Sequence, residues 1–362
     1  MKKIYFTVFN ELVYDQRMKR ICSTLAGTGY EIVLVGRRLS DSTPLHQENY
    51  TQHRLICRFN RGKMRYIEFN IRLLVFLLFR KADAICAIDL DTIVPCYVIS
   101  SLKRIPRVYD AHELFSEMKE VVTRPAIRNI WLSVEKKFVP VFRHGYTVSE
   151  SIAAEFYKRY GVYYEVIRNV PRNDGEVLRL NREKTIIYQG AINEARGFEY
   201  LIPAMAFVDA PLYIYGFGNF EKELYRLIEE HHMEHKVFVK PPQSPEVLKI
   251  LTQQAYIGIN LVEPTGLNQY YSLANKFFDY IQSGIPQVTM RYPEYENINN
   301  DYEVAVLIDE LSVSAVAEAI NALLQDKLLY EKLQHNCLVA RSTYNWQHEG
   351  NKLIAFYKKL LQ

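Results

Sequence analysis

The stretch Tyr270–Val288, YYSLANKFFDYIQSGIPQV, decides the fold. A polar loop, Ser272-Leu273-Ala274-Asn275, opens a helical pattern that runs to about Gln282; Gly284 stops it, and Pro286 leads into an apolar strand. A loop that enters a helix offers backbone N–H groups and the positive end of the helix dipole, which together make a phosphate site. Lys276 adds a full positive charge there. Asp279, one turn deeper, either accepts hydrogen bonds from two ribose hydroxyls or pairs with a cation on the helix surface.

Outward from this stretch, short runs rich in Val, Ile and Tyr alternate with helical patterns. Strands are predicted at 3–9, 31–36, 84–89, 107–112 and 145–149, and again at 185–190, 212–218, 236–240, 255–262, 286–290 and 304–309. Strands that alternate with helices build parallel sheets covered on both faces, and such sheets bind ligands outside the carboxyl ends of their strands. The series occurs twice. Pro, Asn, Asp and Gly concentrate in the break at 166–177, which reads as a linker. The predicted division is 1–170, 171–345 and an amphipathic terminal helix, 346–362.

Two further loops sit at predicted strand ends. In YQGAINEARGFEYLIPAM (Tyr188–Met205) a strand ends at Gly190, and Arg196-Gly197 open a helix. A cation has no helix-stabilising reason to stand at a helix start, whereas a diphosphate would supply one, and arginine grips it as a fork. In YGFGNFEKEL, Gly216 and Gly218 end a strand, a weak signal alone.

Together these motifs resemble glycosyltransferase family 4, the retaining enzymes of the GT-B fold akin to glycogen synthases. That family shows a glycine, a Lys or Arg six residues later and then a glycine, matched by Gly190, Arg196 and Gly197. It shows a strand ending in GxG, matched by Gly216 and Gly218, and a loop-helix matched by Ser272, Leu273, Ala274, Asn275, Lys276, Asp279, Tyr280, Gly284 and Pro286. The ending Tyr344-Asn345-Trp346 with Leu353 and Tyr357 is similar too. The resemblance implies two facing Rossmann-like, doubly wound α/β domains, with a C-terminal helix crossing back to the first. It implies a nucleotide-sugar donor (UDP or GDP) on the second domain and a glycan or lipid-linked acceptor on the first, in bacterial surface polysaccharide synthesis such as lipopolysaccharide or capsule.

The resemblance also assigns residues. Arg196 and Lys276 carry the diphosphate, and His112, in DAHELFSE (Asp110–Glu117), faces the donor sugar; these three form the catalytic set. Gly190, Gly197, Gly216, Gly218, Tyr271, Ser272, Leu273, Ala274, Asn275 and Asp279 line the donor. The loop Asn10-Glu11-Leu12-Val13-Tyr14-Asp15 touches phosphate or acceptor through Asn10, Glu11 and Asp15. The family often carries two glutamates eight positions apart in the loop-helix. Asp279 takes the second place here, and Tyr271 stands in the first, which leaves the donor sugar open. A non-catalytic nucleotide-sugar-binding protein and a nucleotide-sugar epimerase of the same fold are the alternatives.

Bulk properties fit this reading. The chain has 362 residues, with 49% hydrophobic and 24% charged, enough for two cores and unlike a disordered chain. Through Arg168 there are 27 Lys and Arg against 17 Asp and Glu, a balance of +10, and the remainder carries −6. A basic first half suits an anionic partner such as a membrane surface. The mixture of Arg, Lys and apolar residues across 58–81 is the segment that would lie on one; its core, LLVFLLF (Leu73–Phe79), reads as a buried helix face. No nucleic-acid module appears. Five cysteines without a CxxC or Cys/His cluster point to a reducing compartment. Neither a signal peptide nor a membrane span is read, so the expected place is the cytoplasm, at the inner face of the membrane. No metal or other cofactor is expected: Asp89-Leu90-Asp91 spells DxD but ends a first-domain strand and reads as a loop and cap feature.

Overall fold

In the computed structural model, which describes residues 1–13, 15–40, 42–175 and 182–362, the chain forms two units. Unit 1 comprises Met1–Asn169 with His348–Gln362, and unit 2 comprises Val170–Gln347. Tyr14 of the first loop, and Glu176 and Val177 at the end of the predicted linker, lie outside the described residues.

Unit 1 is built on a seven-stranded sheet with the order β3-β2-β1-β4-β5-β6-β7. Its strands are β1 (Lys3–Thr7), β2 (Glu31–Arg38), β3 (Thr51–Ile56), β4 (Ala84–Ile88), β5 (Arg107–Ala111), β6 (His144–Thr147) and β7 (Glu165–Val166), and every pairing is parallel. The strand β4, AICAI, is buried throughout. Such unbroken apolar runs are what a parallel sheet covered on both faces requires. The order reverses between β1 and β4, which makes their carboxyl ends the switch point where doubly wound sheets take ligands. The polar edge strand β3, TQHRLI, escapes prediction because it has no apolar run; its register against β2 (Val33↔Thr51 to Arg38↔Ile56) supplies its order.

The C-terminal helix Trp346–Leu360 packs into unit 1 from His348 onward. Tyr357 and Leu353 are fully buried; the Tyr357 ring lies 5.8 Å from Phe6 of β1, and the Phe356 ring 5.3 Å from Tyr146 of β6. Burial of each such side chain contributes roughly 1.5–3 kcal/mol.

One expectation fails in unit 1. The helix Met64–Leu78 buries Phe69, Leu73 and Leu77 but leaves Ile67, Ile71, Val75, Leu78 and Phe79 exposed. LLVFLLF is therefore only half a buried face. Two apolar stripes run along this helix, and the second has no cover within unit 1.

Unit 2 has a six-stranded sheet, β10-β9-β8-β11-β12-β13. Its strands are β8 (Ile186–Gln189), β9 (Leu212–Tyr215), β10 (Val237–Lys240), β11 (Ile257–Asn260), β12 (Gln287–Met290) and β13 (Ala305–Ile308), again all parallel. The switch point lies between β8 and β11. The helix Asn275–Ser283 covers it, burying Phe277, Phe278, Tyr280 and Ile281; the Tyr280 hydroxyl donates to the carbonyls of Ile187 (3.3 Å) and Ile259 (3.1 Å). These bonds tie the helix to both strands that flank the switch point.

Candidate active site

In unit 2 the two glycine-bearing loops and the loop-helix of Lys276 converge. Gly190 follows β8 with φ +120°, a conformation that a side chain would strain. A Cβ on Gly216 would run into the Gly190 carbonyl oxygen, and one on Gly218 into that of Ile192. The GxG thus lets the loop after β9 lie directly against the loop after β8, an arrangement held by Gly190 N–H to Tyr215 O (3.0 Å) and Ile192 N–H to Phe217 O (2.9 Å). Ala195 and Gly197 both have positive φ, 61° and 71°, on either side of Arg196. Strain of this kind in a non-glycine residue is typical of functional loops.

Lys276 lies against this turn. Its Cε and Nζ are the nearest atoms to the space a Gly190 side chain would fill, at 3.7 and 3.8 Å. The Nζ is buried, stands 3.4 Å from the centroid of the Tyr188 ring and has no hydrogen-bond acceptor among the described residues. Burial, reinforced by the nearby charge of Arg196 and only partly opposed by Asp279, holds its pKa well below the usual lysine range.

Asp279 Oδ2 accepts from Gln189 Nε2 (2.8 Å), and Gln189 Oε1 accepts from Thr252 (2.5 Å). Gln189, the buried last residue of β8, was not singled out from the sequence. At the helix start, Ala274 provides no side-chain cap, and its N–H donates to the Tyr295 hydroxyl (3.0 Å). The Ser272 hydroxyl is buried with no partner among the described residues. Leu273 is buried, Asn275 is exposed, and Tyr271 stacks at an angle on Tyr270, 5.4 Å away.

Unit 1 has its own charged centre at the ends of β4 and β5. Asp110, fully buried, accepts from Arg17 (2.8 Å) and lies 3.2 Å from His112 Nε2. Asp89 Oδ1 accepts the His112 backbone N–H (2.9 Å), and its Oδ2 lies 3.5 Å from Nδ1. Asp89 sits at φ +52°, a costly conformation that these contacts impose. Burial by itself would lower the His112 pKa, but the carboxylates of Asp110 and Asp89 prevail and raise it to about 9. The two carboxylates thus favour the imidazolium form of His112 at neutral pH. Neither Arg17 nor Asp110 had been marked.

The predicted loop residues have local duties. Asp15 caps the helix Gln16–Ala26 by accepting from Met18 N–H (3.0 Å). Glu11 accepts from Arg54 (2.6 Å) and from the Ser42 hydroxyl. The Asn10 carbonyl accepts from Arg37 N–H (3.1 Å).

Two doubly wound, all-parallel units are the architecture of the GT-B class. The family comparisons agree. The "Glycosyltransferase Family 4" model matches residues 16–172, and "Glycosyl transferases group 1" matches 171–337. The chain belongs to this family of glycosyltransferases, and its activity is glycosyl transfer.

No curated protein sequence matches significantly. Among solved structures, sucrose-phosphate synthase from Thermosynechococcus elongatus is similar with a TM-score of 0.85 at 15% identity, over 99% of each chain. WaaG, a glycosyltransferase involved in lipopolysaccharide biosynthesis, gives 0.75 at 13%, over 97% of this chain and 98% of its own. Anabaena HepE in complex with UDP gives 0.75 at 12%, over 99% and 100%. At these identities the likeness is one of fold.

Proposed function

We propose that the chain transfers a sugar, with retention of anomeric configuration, from a UDP- or GDP-sugar to a glycan or lipid-linked acceptor in bacterial surface polysaccharide assembly. The observation that carries this reading is the Lys276 ammonium, buried beside Gly190 and Arg196 with no acceptor among the described residues. A diphosphate is the ligand that brings two adjacent anionic groups to such a pair.

In a retaining transfer the developing charge sits on the leaving diphosphate, so stabilising it is the main catalytic task. Lys276 and Arg196 supply the positive charge that a metal ion supplies elsewhere, and the reaction is read as metal-independent. His112 serves as a fixed cation toward the transferring sugar and not as a base. Solved relatives bound to UDP, UDP-glucose and, in Staphylococcus aureus TarM, UDP with a glycerol glycoside support a uridine nucleotide first.

The uncovered stripe Ile67, Ile71, Val75 and Phe79, with Arg72 and Arg80 beside it, supports contact with an anionic membrane and hence a lipid-linked acceptor at the cytoplasmic face. No helix among the described residues is long and apolar enough to cross a membrane.

Calorimetric titration with UDP, GDP and ADP tests the donor reading. One of them binds the wild type, and Lys276→Ala with Arg196→Ala weakens it at least tenfold; absence of binding by all three refutes it. Sedimentation with phosphatidylglycerol vesicles, lost in Ile71→Glu/Val75→Glu, tests the membrane contact; equal binding to phosphatidylcholine would refute the electrostatic part.

A further inference from the structure

The carboxyl end of unit 1's sheet carries a second pair of cations that the catalytic reading leaves unused. Arg37, near the end of β2, has its Nε and one Nη buried with no acceptor among the described residues. Its guanidinium stacks on the Phe9 ring, 4.2 Å from the centroid. Arg65, in the first turn of the helix Met64–Leu78, stacks on Tyr66 at 4.7 Å and donates to the Tyr66 hydroxyl (2.7 Å), while its Nε is buried without an acceptor. The Phe9 and Tyr66 rings are themselves stacked at 4.5 Å, so the two guanidinium groups share one aromatic support. Neither arginine forms an ion pair among those found in unit 1.

The nearby acid does not neutralise them. Asp91 follows β4, and its Oδ1 is buried without a partner. Burial, then the charge of Asp89, raises its pKa to about 8 in spite of the two arginines. The cluster therefore sets two guanidinium charges beside a carboxyl whose ionisation burial and Asp89 oppose. Buried donors left without acceptors carry an uncompensated desolvation cost. Arg17 and Arg54, by contrast, each hold a carboxylate. Phe9 follows β1 and Asp91 follows β4, so the cluster stands at the switch point of the sheet.

We propose that Arg37, Arg65 and Asp91 form an acceptor subsite for a sugar bearing an oxyanion, a carboxylate or a phosphate. The guanidinium groups take the oxyanion as forks, and Asp91 takes a neighbouring hydroxyl. The proposal rests on the transferase reading for the word acceptor, but not for the binding itself.

The test uses the full chain with glucuronate, glucose 6-phosphate and neutral glucose as probes, followed by thermal shift. The charged sugars raise Tm by about 2 °C or more at saturation, and glucose does not. Whichever charged sugar acts more strongly names the oxyanion. Arg37→Gln and Arg65→Gln each weaken the effect at least fivefold and leave UDP binding unchanged. Arg65, at a helix end, provides the second variant should Arg37→Gln fold poorly. An equal shift from glucose, no loss in the Arg65 variant, or a parallel loss of UDP affinity (which would place the donor diphosphate on these arginines) overturns the proposal. If no nucleoside diphosphate binds the wild type while the charged sugars do, the transferase reading falls and the oxyanion subsite stands.

Discussion

The two units solve the same electrostatic problem in opposite ways. In unit 1 the cations Arg17, buried, and His112, partly buried, face two carboxylates, the buried Asp110 and the partly buried Asp89, within 3.5 Å. In unit 2 the buried Lys276 faces an aromatic ring and another cation. A centre whose charges are already balanced is a framework, which here holds the His112 cation in a fixed place. A centre with surplus charge is a receptor, because its balance is completed by a ligand. The difference teaches where to look for substrate: at the charges the fold leaves uncompensated, and less at those it pairs.

Removing one charge from each centre gives the largest contrast. Asp110→Ala leaves Arg17 and His112 facing each other in a buried space, and the cost is about 3–5 kcal/mol. Lys276→Met removes a charge that burial already disfavours. Because the folded pKa of Lys276 is depressed, keeping its ammonium in the fold is a net cost to folding at pH values below the ordinary lysine range. Lys276→Met is therefore as stable as the wild type, or more so, while nucleotide affinity falls. Urea denaturation of both variants measures this. Equal destabilisation of the two would erase the distinction between framework and receptor.

A smaller effect concerns His112. Its folded pKa is raised from 6.5 to about 9, so its stabilising contribution is complete below about 6.5 and is lost as the pH rises through about 9. The contribution is at most about 3 kcal/mol. His112→Gln should flatten the decline in stability between pH 7 and 9.5, measured by denaturation at several pH values. A variant with the unchanged alkaline slope would show that His112 is not charged in the fold.

Much of this contrast was legible before any coordinates. The glycine loops and Lys276 announce themselves because each lies within one short stretch that ends a strand or opens a helix, and local patterns are what sequence reading resolves. Their convergence follows from strand order, since the loops after β8, β9 and β11 meet at the switch point. What stayed hidden depends on distant partners. Arg17 and Asp110 are 93 residues apart, and Gln189 and Asp279 are 90 apart. A hint was present: Asp110 is a charge inside the otherwise apolar stretch VYDA of β5, and Arg17 falls on the helix face that carries Ile21. The strand β3 was hidden for another reason, because an edge strand needs no apolar run. The outer stripe of the helix Met64–Leu78 was misread because an apolar residue carries no mark of which side it faces.

The smallest effect is also the most specific. A nucleoside diphosphate that enters unit 2 brings negative charge to Lys276, and an anion beside a buried amine raises its pKa. Starting from a pKa well below the lysine range, binding must draw a proton from solvent at pH values where the free amine is partly neutral. Calorimetric titration of UDP in two buffers of different ionisation enthalpy reads that proton directly, as a difference in apparent heat. Up to one proton is taken up per nucleotide by the wild type and none by Lys276→Met. The paired centre of unit 1 serves as the control, since Arg17 already has its carboxylate and stays charged throughout. Uptake that persists in Lys276→Met would move the surplus charge elsewhere and remove Lys276 from the diphosphate site.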